Sequence, residues 1–249
     1  RADQPEIRGA GRRPGAQLSL DAIGLFGGTF DPVHIGHLRT AVELREALGL
    51  KRVLLVPSAR PPHRAPPRAG AAQRLAMLAA AIGDEPGLVA DDRELRRPGP
   101  SYTIDTLAEL RAELGADVAL CLCLGMDALV GLASWHRWRE FTEFAHLVVA
   151  ARPGWQAPES GPVAEWLAER WIEEPAALHA TAHGHALIRV LTLLPVSSSG
   201  LREDLAAGRS VRYLVPDATL AYLRDHRLYA AGGGSQLHAA VGGDSRELP

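Results

Sequence analysis

The chain has 249 residues, of which 47% are hydrophobic and 22% charged, and this composition is typical of one globular domain rather than of an intrinsically disordered protein. Its formal net charge of −2 gives no global electrostatic reason to expect a nucleic-acid or membrane partner, so we expect small-molecule substrates. No apolar run approaches the roughly 20 residues that span a bilayer, and the first residues have no apolar signal-peptide core, so we expect a soluble, cytoplasmic protein.

The first elements form a recognisable unit. We expect residues 1–20 to be a disordered extension, after which the short apolar run AIGLFGG predicts a buried strand that enters a tight turn. The next segment, HLRTAVELREALGL, has apolar residues at helical spacing, and KRVLLVP returns to a continuous apolar strand. A strand, a helix and a strand in this order indicate a βαβ unit and therefore a parallel sheet.

The alternation of strands and helices continues along the chain. After a basic, proline-rich loop, PSARPPHRAPPRAG, we predict a helix (AAQRLAMLAAAI), a short extended piece (GLVADDREL), a helix (YTIDTLAELRAEL) and a strand (DVALCLCLG). Two further strands, AHLVVAAR and ALIRVLTLLP, precede two helical segments, SSSGLREDLAAG and PDATLAYLRDHRLY. We therefore predict one doubly wound α/β domain over residues 21–230, with a mainly parallel sheet that binds ligands at the carboxyl ends of its strands. The glycine-rich segment 231–249 predicts a disordered tail.

The only two cysteines, Cys121 and Cys123, lie two residues apart in an apolar strand and should share one face of it. No further cysteine and no well-spaced histidine joins them. We interpret them as buried free thiols rather than as a metal-binding pair, which fits a reducing cytoplasm.

The turn after the first strand, GLFGGTFDPVHIGH, carries the most specific chemistry. Its glycines follow a strand and Gly36 and His37 open a helix, so backbone N–H groups and the positive helix end can face a phosphate chain. The segment matches neither the GxGxxG nor the GxxxxGK[ST] motif. His34 and His37 are three residues apart, on one face of the first turn, where imidazoles can donate hydrogen bonds to phosphate oxygens. In the structural alternative, His34 packs in the turn and His37 is a surface cap.

The segment GGTFDPVHIGH resembles the signature of the nucleotidyltransferase superfamily with a His-x-Gly-His motif, and particularly that of the bacterial nicotinate-nucleotide adenylyltransferases. Other segments match that family in order: PPHR, SYTIDTL, LGMDAL, SWHRW, ARPG, VSSSGLR and YLVPDATLAYLRDHRLY. The likeness extends from Ile23 to Tyr229. It implies a Rossmann-like nucleotidyltransferase fold and transfer of an adenylyl group from ATP to nicotinate mononucleotide, which gives nicotinate adenine dinucleotide and pyrophosphate in NAD biosynthesis.

The resemblance also implies roles for individual residues. The acceptor phosphate would attack the α-phosphorus directly, so that catalysis rests on positioning and charge stabilisation. The residues expected to be catalytic are His34, His37 and Arg202. Those expected to bind ATP are Gly27, Gly28, Thr29, Phe30, Arg64, Gly125, Asp127, Ser198 and Ser199. Those expected to bind nicotinate mononucleotide are Tyr102, Thr103, Trp135 and Arg152. Mg²⁺ would be carried on the phosphates of ATP, with no dedicated metal site in the protein.

Most of these residues also have an ordinary structural interpretation. The family pattern Ile-Ser-Ser-Thr-x-Ile-Arg is here VSSSGLR, which keeps a hydroxyl and the apolar packing, but it is equally a serine N-cap followed by an exposed arginine. Trp135 could be a core residue, Asp127 a helix N-cap and Arg152 a surface arginine. The loop with His63 and Arg64 could be a solvated linker instead of a mobile cation that closes over the phosphates.

Three other functions compete with this prediction. Class I aminoacyl-tRNA synthetases share the letters HIGH, but neither a Lys-Met-Ser-Lys-Ser-type loop nor a tRNA-binding appendage is visible here. Pantetheine-phosphate adenylyltransferases are shorter and lack the SYT and SW elements. A nucleotide-binding regulator that lost turnover is disfavoured by the intact His34, His37 and Arg202. The sequence leaves open the oligomeric state and the preference between nicotinate and nicotinamide mononucleotide.

Overall fold

A computed structural model of the chain describes residues 19–60, 65–155, 157–192 and 194–230. The predicted disordered tail, all of the predicted extension except Ser19 and Leu20, and the candidate residues His63 and Arg64 lie outside the described residues. The N–H of Leu20 donates to the carbonyl of His179 at 2.9 Å. None of the described helices is both long and apolar enough to cross a membrane.

Six strands form one parallel sheet in the order β3-β2-β1-β4-β5-β6. They are β1 (Asp21–Gly28), β2 (Arg52–Pro57), β3 (Leu88–Ala90), β4 (Val118–Gly125), β5 (His146–Ala151) and β6 (Ala186–Val190). The chain moves outward from β1 to β3 and then returns to the other side of β1, so the order reverses between β1 and β4. This is the predicted doubly wound α/β fold, and the crevice at such a reversal is where these sheets bind ligands.

The helices lie on both faces of the sheet. They are α1 (Ile35–Ala47), α2 (Ala71–Ile82), α3 (Arg93–Arg96), α4 (Thr103–Leu114), α5 (Met126–Val130), α6 (Phe141–Phe144), α7 (Pro162–Ala168), α8 (Ser198–Ala206) and α9 (Asp217–Asp225). The prediction that GLVADDREL is extended is wrong beyond Ala90. The Asp91 carboxylate accepts the N–H of Arg93 at 3.0 Å, and this local bond turns the chain into α3.

Alternate residues of each central strand pack into two separate cores. One core lies under α1, α2, α8 and α9 and includes Cys121 and Cys123, while the other lies under α4 to α7 and includes Leu120 and Leu122. Both cysteines are free and buried, as expected, and burial raises the pKa of the Cys121 thiol to about 12. Burial thus disfavours the thiolate, which is the form that binds a metal ion.

One side chain, that of Arg111, connects several segments at the amino edge of the sheet. The Arg111 guanidinium donates to the carbonyls of Phe144 at 2.7 Å, of Val118 at 2.8 Å and of Ala182 at 2.8 Å. These charge-assisted bonds join α4 to the ends of three neighbouring segments. Ligands are expected at the opposite edge, where the strands end and the loops begin.

Candidate active site

The first component of the site is the turn after β1. A Cβ on Gly28 would lie 3.1 Å from the ring of Phe30, so any larger residue there would crowd that ring. Phe30 itself has a left-handed backbone (φ 48°) and is fully buried, so it supports the turn from below instead of facing a ligand. The carbonyl of Thr29 accepts a hydrogen bond from the buried Arg74 at 2.7 Å. The turn at Gly27 and Gly28 is therefore shaped from below, and its upper side is formed by backbone.

His34 and His37 form a reciprocal cap at the start of α1. The N–H of His37 donates to Nδ1 of His34, and the N–H of His34 donates to Nδ1 of His37, both at 3.3 Å. The two rings are stacked, with centroids 3.6 Å apart. Because each Nδ1 is an acceptor, the proton of each neutral ring is on Nε2. The pair therefore caps the helix through one nitrogen of each ring and keeps an N–H donor on the other.

Burial keeps both imidazoles uncharged near neutral pH. It lowers the pKa of His34 to about 4, and it lowers the pKa of His37 well below the usual value, with a smaller contribution from the neighbouring His34. The helix end has fewer free backbone donors than the sequence suggests, since the N–H of Ile35 already donates to the carbonyl of Leu214 at 3.0 Å. The Nε2–H groups of the imidazoles add to the backbone donors that remain at this helix start.

The start of α8 is attached to the same turn. Its N-cap is Ser197, whose side chain accepts the N–H of Gly200, whereas the Ser198 hydroxyl donates to the carbonyl of Pro32 at 2.9 Å. Arg202 donates to the carbonyl of Asp31 at 2.7 Å. These bonds bring Arg202 to the segment that precedes His34, although the two lie far apart in sequence. Ser199 stays exposed.

Asp31 is a central residue of the site that the sequence analysis missed. Its buried carboxylate accepts the N–H groups of Arg68 at 2.8 Å and of Ala69 at 3.0 Å, and the hydroxyl of Tyr229 at 2.5 Å. Burial lowers the pKa of the Arg74 guanidinium, and the nearby charge of Asp31 opposes this shift. One carboxylate thus joins the turn, the end of the proline-rich loop and the last described turn of the chain.

Three of the four residues predicted for the acceptor lie at the start of α4 or close to it. Tyr102 is the N-cap of α4 and Thr103 its first residue. The Tyr102 ring lies 4.5 Å from the ring of His136, whose chain neighbour Trp135 is half-buried against Phe141. Tyr102 therefore contacts the residue after Trp135, and both Tyr102 and Trp135 pack against the same core. His136 was not predicted as a site residue, although it stands in the SWHRW segment.

The remaining predicted residues lie at the carboxyl ends of β4 and β5. Gly125 ends β4 and is the N-cap of α5, so the exposed Asp127 in the first turn is not the cap. Arg152 is exposed directly after β5. Beside it, Glu43, Pro153, Val190, Leu191 and Thr192 line a cavity of about 440 Å³. Within the described part of the chain, no group of three or more His, Cys, Asp or Glu side chains is arranged to hold a metal ion.

Comparisons with known proteins agree on one family. The cytidylyltransferase-like family model matches residues 25–204. A protein of Aeromonas hydrophila named "Probable nicotinate-nucleotide adenylyltransferase" is 51% identical over 207 residues, which are 83% of this chain and 96% of the relative. A Pseudomonas fluorescens protein with the same name is 51% identical over 209 residues, or 84% of this chain and 97% of the relative.

A solved structure supports the same fold. It is a Plasmodium falciparum nicotinic acid mononucleotide adenylyltransferase complexed with NaAD, which superposes with a TM-score of 0.65 at 16% identity. The match covers 84% of this chain and 97% of that one. At this identity the likeness concerns the fold alone.

Proposed function

The chain belongs to the nicotinate-nucleotide adenylyltransferase family, and we propose that it performs adenylyl transfer at the phosphate site formed by His34, His37 and Arg202. It is a nucleotidyltransferase of NAD biosynthesis, and the substrates we propose for it are ATP and nicotinate mononucleotide. The observation that supports these roles best is the stacked pair of neutral histidines at the start of α1, next to a turn whose upper side is backbone. Such a helix start suits a phosphate chain.

In the proposed reaction, an oxygen of the acceptor phosphate forms a bond to the α-phosphorus of ATP. The bond from that phosphorus to the bridging oxygen of the β-phosphate breaks, and pyrophosphate leaves with the electron pair. Neutral Nε2–H groups of His34 and His37 donate hydrogen bonds to the phosphate oxygens, on which negative charge grows in the transition state. Arg202 adds a positive charge from the neighbouring helix. None of these steps requires a covalent intermediate with the enzyme.

We propose that Mg²⁺ enters with ATP, bound to its phosphate oxygens, where it offsets the charge of the triphosphate. The donor set fits this arrangement. Asp31, the carboxylate next to the histidines, already accepts three hydrogen bonds from the protein. The residues on the protein side then only need to hold and orient the loaded nucleotide.

The acceptor would bind beside α4. Its ring stacks on Trp135, and its carboxylate accepts hydrogen bonds at the helix start near Tyr102 and Thr103, which has no side-chain cap. Ser101 supports this placement, because its hydroxyl accepts the N–H groups of Ala59 at 2.9 Å and Arg60 at 3.2 Å and so ties the start of α4 to the loop after β2.

The glycine turn with Thr29 and Phe30, together with Ser198, Ser199, Gly125, Asp127 and Arg64, is proposed for ATP, and Arg152 for the acceptor. Nucleotides rather than nucleic acids are the proposed partners, in keeping with the net charge of −2. The proposed location is the cytoplasm, where the free thiols of Cys121 and Cys123 would stay reduced.

Two substitutions of His37 separate the capping role of its Nδ1 from the proposed catalytic role of its Nε2–H group. In His37→Asn, the amide oxygen replaces Nδ1 and can still accept the N–H of His34, whereas the Nε2 donor is lost. In His37→Gln, the amide nitrogen lies near the former Nε2 and retains a donor. We expect the Asn variant to lose about a hundredfold in turnover, as for other charge-stabilising donors, and the Gln variant to lose less. Steady-state pyrophosphate release measures both.

The control is His226→Asn, at an exposed position at the end of α9. It should turn over like the unaltered protein, and thermal melting should show that all three variants are folded. A folded His37→Asn variant with normal turnover would remove His37 from the mechanism.

A further inference from the structure

The contacts of Arg202 leave it only partly engaged by the protein. Its Nη1 donates to the carbonyl of Asp31 at 2.7 Å, but the same atom is 3.8 Å from the carboxylate oxygen Oδ2, beyond hydrogen-bond distance. Its Nε is buried and has no partner among the described residues. A guanidinium that is partly exposed, beside a carboxylate it does not quite reach, has donors available for a ligand.

The Asp31 carboxylate is meanwhile occupied by other donors. Oδ2 accepts the N–H of Arg68, and Oδ1 accepts the N–H of Ala69 and the hydroxyl of Tyr229. The bond from Tyr229 is the shortest of the three, at 2.5 Å. Burial, followed by this bond and the charge of Asp31, raises the pKa of Tyr229, so its hydroxyl stays protonated and remains a donor.

We propose that Tyr229 is a positioning residue that keeps Arg202 available for the phosphates of ATP by satisfying Asp31 in its place. A carboxylate has room for several donors, and a buried one that loses a donor attracts the nearest cation more strongly. Arg202 and Asp31 are now a loose ion pair at 3.8 Å. Without the Tyr229 hydroxyl, Arg202 needs a shift of only about 1 Å to turn it into a hydrogen-bonded ion pair. That ion pair would compete with ATP for the guanidinium. The inference rests on the proposed role of Arg202 in ATP binding.

The C-terminal part of the domain supports this role for Tyr229. Its backbone is left-handed (φ 62°), a conformation that is unfavourable for a tyrosine, and its ring packs against the core under α9. The tyrosine therefore reaches Asp31 from a fixed position at the end of the described chain.

The test is a double-mutant cycle on ATP affinity, with Tyr229→Phe, Arg202→Ala and the double variant, measured by calorimetry with Mg²⁺ present. We expect Tyr229→Phe to raise the Kd for ATP roughly five- to tenfold, the scale of one lost hydrogen bond. In the Arg202→Ala background the same substitution should have no further effect, because the residue through which it acts is missing. Tyr222→Phe, which alters a partly buried tyrosine of α9, is the matched control and should bind ATP normally.

Equal weakening of ATP binding by Tyr229→Phe in both backgrounds would show a general structural role and overturn the proposal, as would unchanged affinity in the single variant. Both of these outcomes leave the turnover of the unaltered protein intact. Failure of the proposed function is distinguishable from them, because the unaltered protein would then release no pyrophosphate.

Discussion

His34 and His37 each use Nδ1 to accept the backbone N–H of the other residue, which leaves Nε2–H for a ligand. Because burial lowers both pKa values, the rings are neutral near pH 7, and in the proposed complex they would face the triphosphate as donors rather than as cations. Two stacked imidazolium ions 3.6 Å apart would repel each other, so the neutral form is also the one that this geometry favours. The positive charge of the site comes from Arg202 instead.

Another single residue, Trp135, gives a prediction about binding of the acceptor. Trp135→Ala should raise the KM for nicotinate mononucleotide roughly tenfold or more, because stacking of a base on an aromatic side chain contributes about 1–3 kcal/mol. The KM for ATP should stay within about twofold, since ATP is bound by other residues. Initial rates measured with each substrate varied in turn separate the two constants.

The control for this variant is Trp171→Ala. Trp171 is also partly exposed, but it pairs with Ala186 at the amino end of β6, opposite the ligand edge. An increase in both KM values for Trp135→Ala, or an equal effect of Trp171→Ala, would argue against Trp135 as the stacking platform.

The sequence predicted only part of this site. His34, His37 and Arg202 stand in motifs through which the chain resembles a known family, and that resemblance was sufficient to propose them. Asp31 and Tyr229 are 198 residues apart, and no local pattern links a buried carboxylate to a hydroxyl at the far end of the domain. For the same reason, the engagement of Ser198 with Pro32 was not predictable.

Among the elements, the start of β5 contains the most acid-sensitive contact of the sheet's amino edge. His146 is fully buried there, with Nε2 2.9 Å from the carbonyl of Thr181 and Nδ1 accepting the N–H of His185 at 3.1 Å. Burial lowers its pKa to about 4, the bond to Thr181 opposes this shift, and His185 and His183 add to it. The His146 ring must therefore be neutral to make both of the hydrogen bonds that hold the segment before β6.

This contact predicts a loss of stability in acid. The unfolded chain has a histidine pKa near 6.5, above that of the folded protein, so it binds more protons as the pH falls from about 6.5 to 4. His146 alone should remove on the order of 2 to 3 kcal/mol of unfolding free energy over that range, and His34 and His37 change it in the same direction. Urea unfolding at several pH values measures the slope.

In His146→Gln, the dependence on pH between 6.5 and 4 should be shallower, although the variant is less stable at neutral pH. The exposed His226→Gln is the control and should keep the slope of the unaltered protein. An unchanged slope in His146→Gln would show that this histidine does not titrate as described.

The positions of the longer helices and strands were predicted well by apolar periodicity. Helices α1, α2 and α4 and the central strands lie where apolar spacing predicts them, because each buries a continuous face in one of the two cores. The short helix α3 was missed, since it depends on a side-chain bond from Asp91 rather than on a repeating pattern. Short elements of this kind are determined by a few contacts, which a periodic pattern does not report.

At the scale of the whole molecule, the strand order explains why residues from distant segments share one edge. Parallel strands β1, β4 and β5 are neighbours, so the turn after β1, the start of α5 and the loop after β5 lie side by side. The strand and helix pattern predicted a parallel sheet, but not this order, because an alternating pattern is compatible with several arrangements of the same strands.

The most direct test of the account uses the unaltered, folded protein with ATP, Mg²⁺ and nicotinate mononucleotide. We expect pyrophosphate and nicotinate adenine dinucleotide to form in equal amounts, with no pyrophosphate when the mononucleotide is omitted and none when Mg²⁺ is chelated. Folded protein that binds ATP but releases no pyrophosphate under these conditions would contradict the account, and it would indicate a nucleotide-binding regulator on this fold.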